Sequence, residues 1–587
     1  MLTAPSVRYA HGKFIRMLTA APVIRSAGAR ALFLTTAAVT VAIYLWTDHV
    51  SRNVLDYYLA PVFRMLFMYY DGQAAGGLAF ILILAALFAR PGWLNRVACW
   101  VSDHTLAIAA GTAVLLSVGS LAVYGHDPFT MDEFVPLLQG QAFAAGHLTT
   151  RYPPDLIDWM IPASFQHHFL EFSPTTGEGG STYWPSFALL LVPFIWLGIP
   201  WACNAVVSGL TLLVVRRLAL ELFEDREAAG FAVLLTIASP VVFGAGISYY
   251  SEPAHLLTNA VYALLLLRPS ARKALAAGLV GSIALTLHNP FPHFVFALPW
   301  LAWVATRPQG IRLLAWLAAG YLPLTLLLGL GWPMFVHGLP HGGFGPLFTH
   351  NTRSVPDPGD PPILMLIPQL GVLYVRLIGF AKIWLWAVPG LVVLAYAGAR
   401  QTRDDPRCRL LAASAVTTFV GYLFVGYDQG HGWGFRYFHG AWFVLPLLAA
   451  AALTGSRPVK SPSAGFATDE VRAFVTACAL LTLVLGVGQR ALQIDRFVSA
   501  EVSQGPHYHA EDGSVVMYSN NGISRYGNVL VHNDPWLRDK VFNLVSHGSK
   551  ADAALLHSRF PGLRRIYYDP WGSVWSDKPQ EPAAAHR

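Results

Sequence analysis

Long apolar stretches occupy most of the chain between residues 30 and 490, and charged residues interrupt them only briefly. A helix that crosses a membrane needs about 20 mostly apolar residues. Only 12% of the 587 residues are charged and 54% are hydrophobic, whereas soluble domains carry about 25% charged residues. We therefore expect a polytopic integral membrane protein, and the composition excludes an ordinary soluble fold.

Thirteen stretches have the length and apolar character of a spanning helix. They are residues 31–47, 74–90, 105–123, 202–218, 228–247, 253–268, 274–290, 292–306, 311–330, 380–398, 410–426, 437–453 and 471–488. A further apolar stretch, 183–199, is ambiguous. It is bounded by Trp184–Pro185 and Pro200–Trp201, and aromatic residues prefer the membrane interface.

The distribution of Lys and Arg predicts which loops face the cytoplasm. The first thirty residues hold five basic residues and no acid, whereas loop 124–182 holds seven acids and only one basic residue, Arg151. Loop 331–368 also has a single basic residue, Arg353. Both long loops are therefore predicted to face outward. Since Arg216 and Arg217 mark a cytoplasmic loop, only one crossing fits between 182 and 216, and 183–199 is predicted to be a juxtamembrane or re-entrant helix.

This topology predicts three regions. Residues 1–104 form a cytoplasmic tail and two extra N-terminal spans, residues 105–489 form the main membrane domain, and residues 490–587 form an external domain. In the last region, strand-like runs at 514–518, 528–532 and 565–568, with a helical stretch at 535–560, predict a small α/β fold. The net charge of +7 does not indicate a nucleic-acid partner, because the basic residues are spread over short loops.

Acidic residues of the predicted outer face are candidates for chemistry. Asp127, Asp132 and Glu133 precede an amphipathic helix, where they could cap its N-terminus or perform acid–base work. Glu252 is the only acid between Glu227 and Asp357, at the outer end of a span. An ionisable residue at a membrane boundary is a functional candidate, although a helix cap explains Glu252 almost as well.

Basic and aromatic residues of the same face form further candidate sites. His288 and His293 lie in one outer turn, and each could bind a phosphate or simply be a satisfied interface histidine. His431, Trp433 and Arg436 lie in a glycine-rich loop, where the arginine suits bidentate phosphate recognition or ordinary snorkelling. Lys382 lies in an apolar run, where it could face an anionic lipid head group or equally well snorkel to the interface.

The order of these motifs resembles that of the GT-C glycosyltransferases, over residues 105–455. The motifs are the Asp132–Glu133 pair, a helix ending in Ala–Gly–His, a Trp–Pro juxtamembrane stretch, the outer acid Glu252, and Gly–Trp–Gly–Phe–Arg–Tyr at 432–437. The most similar branch contains the protein O-mannosyltransferases and the lipid A aminoarabinose transferase. One departure is Asn289–Pro290, where many relatives have Arg–Pro, so that His288 or His293 would have to replace that arginine.

The resemblance implies an all-α polytopic fold of the GT-C type with about 13 spans. It also implies inverting transfer of a sugar from a polyprenyl-phosphate donor to a glycan, lipid or protein acceptor outside the cytoplasm. Asp132 would be the general base, with Glu133 and Glu252 orienting the acceptor or tuning Asp132. Arg436, His288 and Lys382 would bind the donor phosphate, leaving Asp127, His293, His431 and Trp433 to contact substrate.

Three points stay open at the level of sequence. Three carboxylates could also hold a divalent cation, although no metal-ligand spacing demands one and no other cofactor is indicated. A transporter or flippase of a lipid-linked glycan is the main alternative, but it predicts polar residues along a mid-membrane path and often internal repeats, whereas the polar clusters lie on one face. Short cytoplasmic loops favour a bacterial inner membrane with the site facing the periplasm.

Overall fold

A computed structural model describes residues 25–53, 66–162, 165–346, 364–426, 430–455, 464–519, 533–538 and 540–578. Helices dominate these ranges. In the first half of the chain they are α1 (Ala27–Asn53), α2 (Gly72–Phe88), α3 (Trp93–Asp103), α4 (Thr105–Ala122), α5 (Met131–Ala144), α6 (Ile157–Met160), α7 (Ser186–Trp196), α8 (Cys203–Phe223), α9 (Arg226–Ile237), α10 (Pro240–Gly246), α11 (Glu252–Leu266) and α12 (Ala271–Leu285). A π-helical turn, Leu66–Asp71, leads into α2.

The helices of the second half continue the bundle. They are α13 (Phe291–Ala305), α14 (Gly310–Leu324), α15 (Trp332–Gly338), α16 (Leu370–Leu385), α17 (Leu391–Gln401), α18 (Pro406–Gly421), α19 (Arg436–His439), α20 (Val444–Thr454), α21 (Asp469–Leu481), α22 (Val487–Val502) and α23 (Ser549–Arg559). The π-helical segments Thr325–Gly331 and Thr482–Gly486 join α14 to α15 and α21 to α22. Helix α4 packs on α8, α12 on α14, and α17 on α20.

Five of the described helices are long and apolar enough to cross a membrane. They are Ala27–Thr47, Leu66–Phe88, Thr105–Ala122, Gly310–His341 and Asp469–Val502. Helices α9 and α10 pass the same test together but are bent by 58°, where Pro240 begins the second helix. The chain is therefore an integral membrane protein. The predicted count of thirteen single spans is not reproduced, although each predicted stretch contains a helix.

Besides 228–247, which is divided between α9 and α10, two further predicted spans are not continuous helices. The stretch 380–398 is divided between α16 and α17, because Pro389 and then Gly390, whose φ is +87°, interrupt the helix. The stretch 437–453 is divided between the short α19 and α20. The ambiguous stretch 183–199 contains only α7, whose 11 residues span about 16 Å, which is too short to cross a bilayer core of about 30 Å. The side of the membrane on which α7 lies stays a prediction.

The predicted outer loop and the C-terminal region share one core. In the loop, β1 (Thr150–Arg151), β2 (Leu170–Phe172) and β3 (Glu178–Ser181) form an antiparallel sheet in the order β1-β3-β2. The C-terminal sheet has the order β7-β6-β9-β8, built from β6 (Val515–Tyr518), β7 (Phe542–Val545), β8 (Arg564–Asp569) and β9 (Gly572–Ser576). Side chains of α5, such as Phe134, pack in one cluster with Met517 and Leu544.

The C-terminal region departs from its prediction in two places. The helix predicted at 535–560 begins only at Ser549, because strand β7 occupies 542–545 and pairs in parallel with β6. Helix α22 continues to Val502, so the helical bundle extends beyond the predicted boundary at 490. Strands lie at two of the predicted runs, and the third, 528–532, is outside the described residues.

Candidate active site

Three charged side chains from distant parts of the chain meet beside one cavity. The Arg436 guanidinium donates through Nη2 to Asp132 Oδ2 at 2.8 Å and through Nε to Glu252 Oε1 at 2.6 Å. All three side chains are about 85% buried, with exposures of 15%, 15% and 12%. The structure thus brings together the two acids and the arginine that the sequence singled out.

The ends of three helices place these groups. Asp132 lies in the first turn of α5, Glu252 is the first residue of α11, and Arg436 is the first residue of α19. A short hairpin directly precedes Arg436 and positions it. Its two strands, β4 (His431–Gly432) and β5 (Gly434–Phe435), have two residues each. Gly434 has a φ of +92°, and a side chain there would approach Val241 to 2.6 Å, so this turn requires glycine.

Aromatic side chains also contact Arg436 and Asp132. The Arg436 guanidinium lies 3.9 Å from the centre of the Tyr250 ring, a cation–π contact. The Tyr183 hydroxyl donates to Asp132 Oδ1. Burial alone would raise the pKa of Asp132, but the guanidinium beside it and the Tyr183 hydroxyl lower that pKa to about 2. Asp132 is therefore ionised, and both of its oxygens accept hydrogen bonds.

Glu252 differs from Asp132 in having a free oxygen. Its Oε1 accepts from Arg436, whereas its Oε2 is buried and has no hydrogen-bond partner among the described residues. The adjoining cavity is lined by Ala245, Tyr250, Glu252, Trp433, Arg436 and His439. A buried acceptor without a donor is costly unless a ligand or water satisfies it. Glu252 is thus a carboxylate of the cavity lining that keeps one acceptor oxygen unused within the described residues.

Glu133 is held by hydrogen bonds at the N-terminus of helix α5. It forms a capping box with Thr130 at the start of α5, and its Oε2 accepts from the Phe129 and Thr130 N–H groups at 3.1 and 3.0 Å. Its Oε1 accepts from the Tyr124 hydroxyl and the Tyr249 N–H. Burial raises the pKa of Glu133, and the hydrogen-bond donors lower it because they favour the charged form. The effect of burial is the larger, and the resulting pKa is about 7. The sequence left two roles open for Glu133, a helix cap or acid–base work, and these contacts are those of a helix cap.

The predicted histidine sites have different environments. His288 lies against the Tyr183 ring, with 4.0 Å between ring centres, and the Tyr183 hydroxyl in turn contacts Asp132. His293 is joined instead to Asn259 Oδ1 and to the Tyr321 hydroxyl, each at 2.7 Å. His293 is thus a bonded core histidine, and the structure gives it no place at the Arg436 cavity.

Lys382 is paired with an acid that the sequence analysis did not single out. It is fully buried and forms an ion pair with Asp71 at 2.5 Å, beside Arg490. His431 is buried on strand β4, where it faces Phe435 across the hairpin. Asp127 is half-buried near Tyr249, whose hydroxyl donates to the carbonyl of His126. None of these three predicted residues lines the cavity beside Glu252, whereas Trp433 does.

Sequence reasoning missed several residues that the structure places at or near the site. They are Tyr183, Tyr250, His439, Asp71 and Arg490. The sequence could have identified two of them as candidates. Asp71 and Arg490 are isolated charges next to apolar stretches, and charges are unusual at membrane depth. No local sequence pattern could have identified the two tyrosines, because their contacts join segments that are far apart in sequence.

The described residues contain no group of three or more His, Cys, Asp or Glu side chains arranged to hold a metal ion. The guanidinium of Arg436 forms an ion pair with each of the two carboxylates, Asp132 and Glu252. The trio of Arg436, Asp132 and Glu252 therefore carries one positive and two negative charges.

Comparison with known proteins gives weak structural matches. No protein-family description and no curated protein sequence matches the chain. Among solved structures, ArnT from Cupriavidus metallidurans in the apo state is similar with a TM-score of 0.47 and 12% identity, over 81% of this chain and 99% of that one. The same protein bound to undecaprenyl phosphate matches equally.

Proposed function

We propose that this chain is a membrane glycosyltransferase that moves a sugar from a polyprenyl-phosphate donor to an acceptor on the extracytoplasmic side. The observation that carries the proposal is the convergence of Asp132, Glu252 and Arg436 beside one cavity. Their segments lie at the ends of helices that the charge distribution predicts to face outward. A donor anchored by a lipid tail would reach a site at this depth from within the bilayer.

The proton of the acceptor hydroxyl goes to Glu252 in the mechanism that fits this geometry. Glu252 Oε2 has no partner, whereas both oxygens of Asp132 are engaged and its pKa is about 2. As the acceptor oxygen bonds to the anomeric carbon, the bond from that carbon to the phosphate oxygen breaks. The proton is then on Glu252, polyprenyl phosphate leaves, and a single displacement of this kind inverts the anomeric centre.

Asp132 and Arg436 position the proton acceptor in this scheme. The family resemblance implies that Asp132 is the base and that Arg436 binds the phosphate, but each side chain is already held by the other and by a further partner. A guanidinium that faces two carboxylates has no uncompensated charge to offer a phosphate. Its fork geometry suits the task of fixing Glu252 in one orientation.

Transfer from a labelled polyprenyl-phosphate sugar by the purified full-length protein tests the proposal. Loss of transfer in a correctly folded Glu252→Gln variant supports the assignment of the proton acceptor. Full transfer activity in that variant contradicts the assignment.

A further inference from the structure

Two polar groups at the start of helix α11 are buried without a hydrogen-bond partner. One is Glu252 Oε2, and the other is the imidazole of His255, whose nitrogens Nδ1 and Nε2 both lack a partner within the described ranges. His255 is 4% exposed. Buried polar atoms in folded proteins nearly always form hydrogen bonds, so each exception requires an explanation. Here two exceptions lie three positions apart on one helix.

His255 lies on the face of α11 that packs against α19 and the residue after it. Glu252 accepts from Arg436 in the first turn of α11, and Asn259 donates through Nδ2 to the Gly440 carbonyl at 3.0 Å. A Cβ atom at Gly440 would lie 3.5 Å from His255 Cβ. Residues three or four positions apart share a face of a helix, so Glu252, His255 and Asn259 form one polar stripe that begins at the candidate active site.

A neighbouring histidine shows how a core histidine is held in this bundle. His293, on α13, is bonded at both ring nitrogens, each at 2.7 Å. His255 is close enough to interact electrostatically with His293, with His288 and with His439, and His439 lines the cavity beside Glu252. His255 is therefore close both to the bonded histidine and to the cavity, but no described side chain satisfies its ring.

The unpaired atoms define the chemistry of a ligand. A neutral imidazole has one N–H donor and one acceptor nitrogen, whereas an ionised carboxylate oxygen only accepts. Glu252 Oε2 and the His255 ring together therefore need two donors and one acceptor. Two neighbouring hydroxyl groups supply this set, because each hydroxyl both donates and accepts. A single hydroxyl group on Glu252 leaves the imidazole unpaired.

Charge and distance also favour a neutral ligand with several hydroxyl groups. Arg436 faces two carboxylates, Asp132 and Glu252, so this trio has one surplus negative charge and disfavours an anion. Side chains three positions apart on a helix have Cβ atoms about 5–6 Å apart, a separation that two hydroxyl groups of one sugar ring can match. Trp433 adds an aromatic surface to the same cavity. These features suit a sugar ring better than a phosphate.

We infer that the acceptor is a carbohydrate, and that His255 binds a second hydroxyl group of the sugar whose reacting hydroxyl lies on Glu252. The inference rests on the proposed function and specifies the class of acceptor. His255 does not line the cavity in this structure, so the acceptor ring extends from Glu252 by one helical turn towards it. His255 takes no proton from the reacting oxygen. It orients the sugar and selects acceptors that have a second hydroxyl group.

Substitution by leucine separates this role from a structural one. His255→Leu removes two unpaired polar atoms from the interior, so it should raise the melting temperature of the ligand-free protein by about 1–2 °C. His293→Leu is the matched control, because it leaves Asn259 and Tyr321 without their partner and should lower the melting temperature. A decrease for His255→Leu as large as that for His293→Leu would overturn the inference, since His255 would then be a bonded core histidine.

Binding of small sugars to the purified full-length protein tests the second hydroxyl group. The probes are the methyl glycosides of glucose, mannose and galactose, their monodeoxy analogues, and N-acetylthreonine amide, measured by saturation-transfer NMR. The wild-type protein should bind one of the glycosides about 10-fold more tightly than one of its monodeoxy analogues, which lacks one hydrogen bond. His255→Leu should bind these two equally, and the threonine probe should bind both proteins with the same affinity.

Three results of the binding experiment would contradict the inference. The first is that the wild-type protein binds none of the glycosides. The second is that His255→Leu still discriminates against the same deoxy analogue, which would assign the second hydroxyl to another group. The third is that the threonine probe binds more tightly than every glycoside and depends on His255, which would assign the site to a protein acceptor.

The outcome also separates this inference from the proposed function. Glycoside binding that depends on His255, without any sugar transfer by the wild-type protein, supports the carbohydrate site and counts against the transferase. Sugar transfer to a protein or lipid acceptor that His255→Leu does not impair supports the transferase and overturns the carbohydrate acceptor.

Discussion

Arg436 and Asp132 are 304 positions apart in the sequence, yet the guanidinium Nη2 lies 2.8 Å from the carboxylate Oδ2. Asp132 lies in the first turn of a helix of the predicted outer loop, and Arg436 directly follows the hairpin of β4 and β5. The pair is largely buried, so neither charge is stable without the other or a substitute. This contact fixes the loop against the bundle, and with Glu252 it forms the site on which the proposed chemistry depends.

Glu252→Gln should abolish most of the activity. Glutamine keeps the shape of the side chain and can still accept from Arg436, but it cannot take a proton. Removal of a general base commonly costs about 10²–10⁴-fold in rate, so we expect a loss of that order in kcat. Steady-state transfer kinetics provide the measurement.

Glu178→Gln provides a matched control, because Glu178 is an exposed acid of the same loop. It should leave kcat unchanged. A Glu252→Gln protein that retains a third or more of the wild-type kcat would assign the proton to another group.

Arg436→Lys should be nearly as harmful as a neutral substitution. A lysine keeps the charge, but its single ammonium cannot reproduce the fork that engages Asp132 and Glu252 together. We expect kcat/KM to fall by roughly 100-fold, which corresponds to about 2.7 kcal/mol of transition-state stabilisation. Wild-type kinetics in Arg436→Lys would show that charge alone is sufficient and that the fork has no function.

The stability of the protein should depend on pH through Glu133. Its pKa in the folded protein is about 7, raised by burial from 4.5, so the proton is bound more tightly in the folded state. The resulting stabilisation is complete below pH 4.5 and is lost as the pH rises through about 7, by an amount on the order of 3 kcal/mol. Glu133→Gln has no proton to lose.

Thermal melts of both proteins between pH 5 and pH 8 provide the measurement. The melting temperature of the wild-type protein, relative to that of Glu133→Gln, should fall by several degrees over this range. A difference that stays constant or rises with pH would show that Glu133 is charged in the folded protein throughout.

The sequence predicted the bundle well because apolar length and periodicity are local properties. A helix lies in each of the thirteen predicted stretches, but local hydrophobicity could not show where Pro389 and Gly390 divide one of them. The predicted helix at 535–560 failed for a related reason. Residues 542–545 pair with 515–518, a contact between distant segments that no local pattern records.

The candidate site was predictable only in part. Asp132, Glu252 and Arg436 could be found because isolated charges at the ends of apolar stretches require a reason. Their mutual contacts, the Tyr183 hydroxyl and the ion pair of Lys382 with Asp71 depend on tertiary packing. His293 was selected for the same reason as His288, but its partners Asn259 and Tyr321 lie within the bundle.

The predicted sidedness can be tested at the short helix α7. In a variant without the four native cysteines, Pro200→Cys should react with a membrane-impermeant maleimide added from outside intact cells. Asp404→Cys, in a loop predicted to be cytoplasmic, should react only after the membrane is opened. Labelling of position 200 from the cytoplasmic side would reverse the assignment of the outer loop and of the site.

The most direct test of the central claim is turnover of a donor. The purified wild-type protein in lipid nanodiscs, supplied with labelled polyprenyl-phosphate sugars and a cell-envelope extract as acceptor, should release polyprenyl phosphate and label the acceptor. Glu252→Gln should do neither. Movement of a lipid-linked glycan across sealed vesicles by the wild-type protein, with no release of polyprenyl phosphate from any donor, would contradict the transferase and identify a transporter.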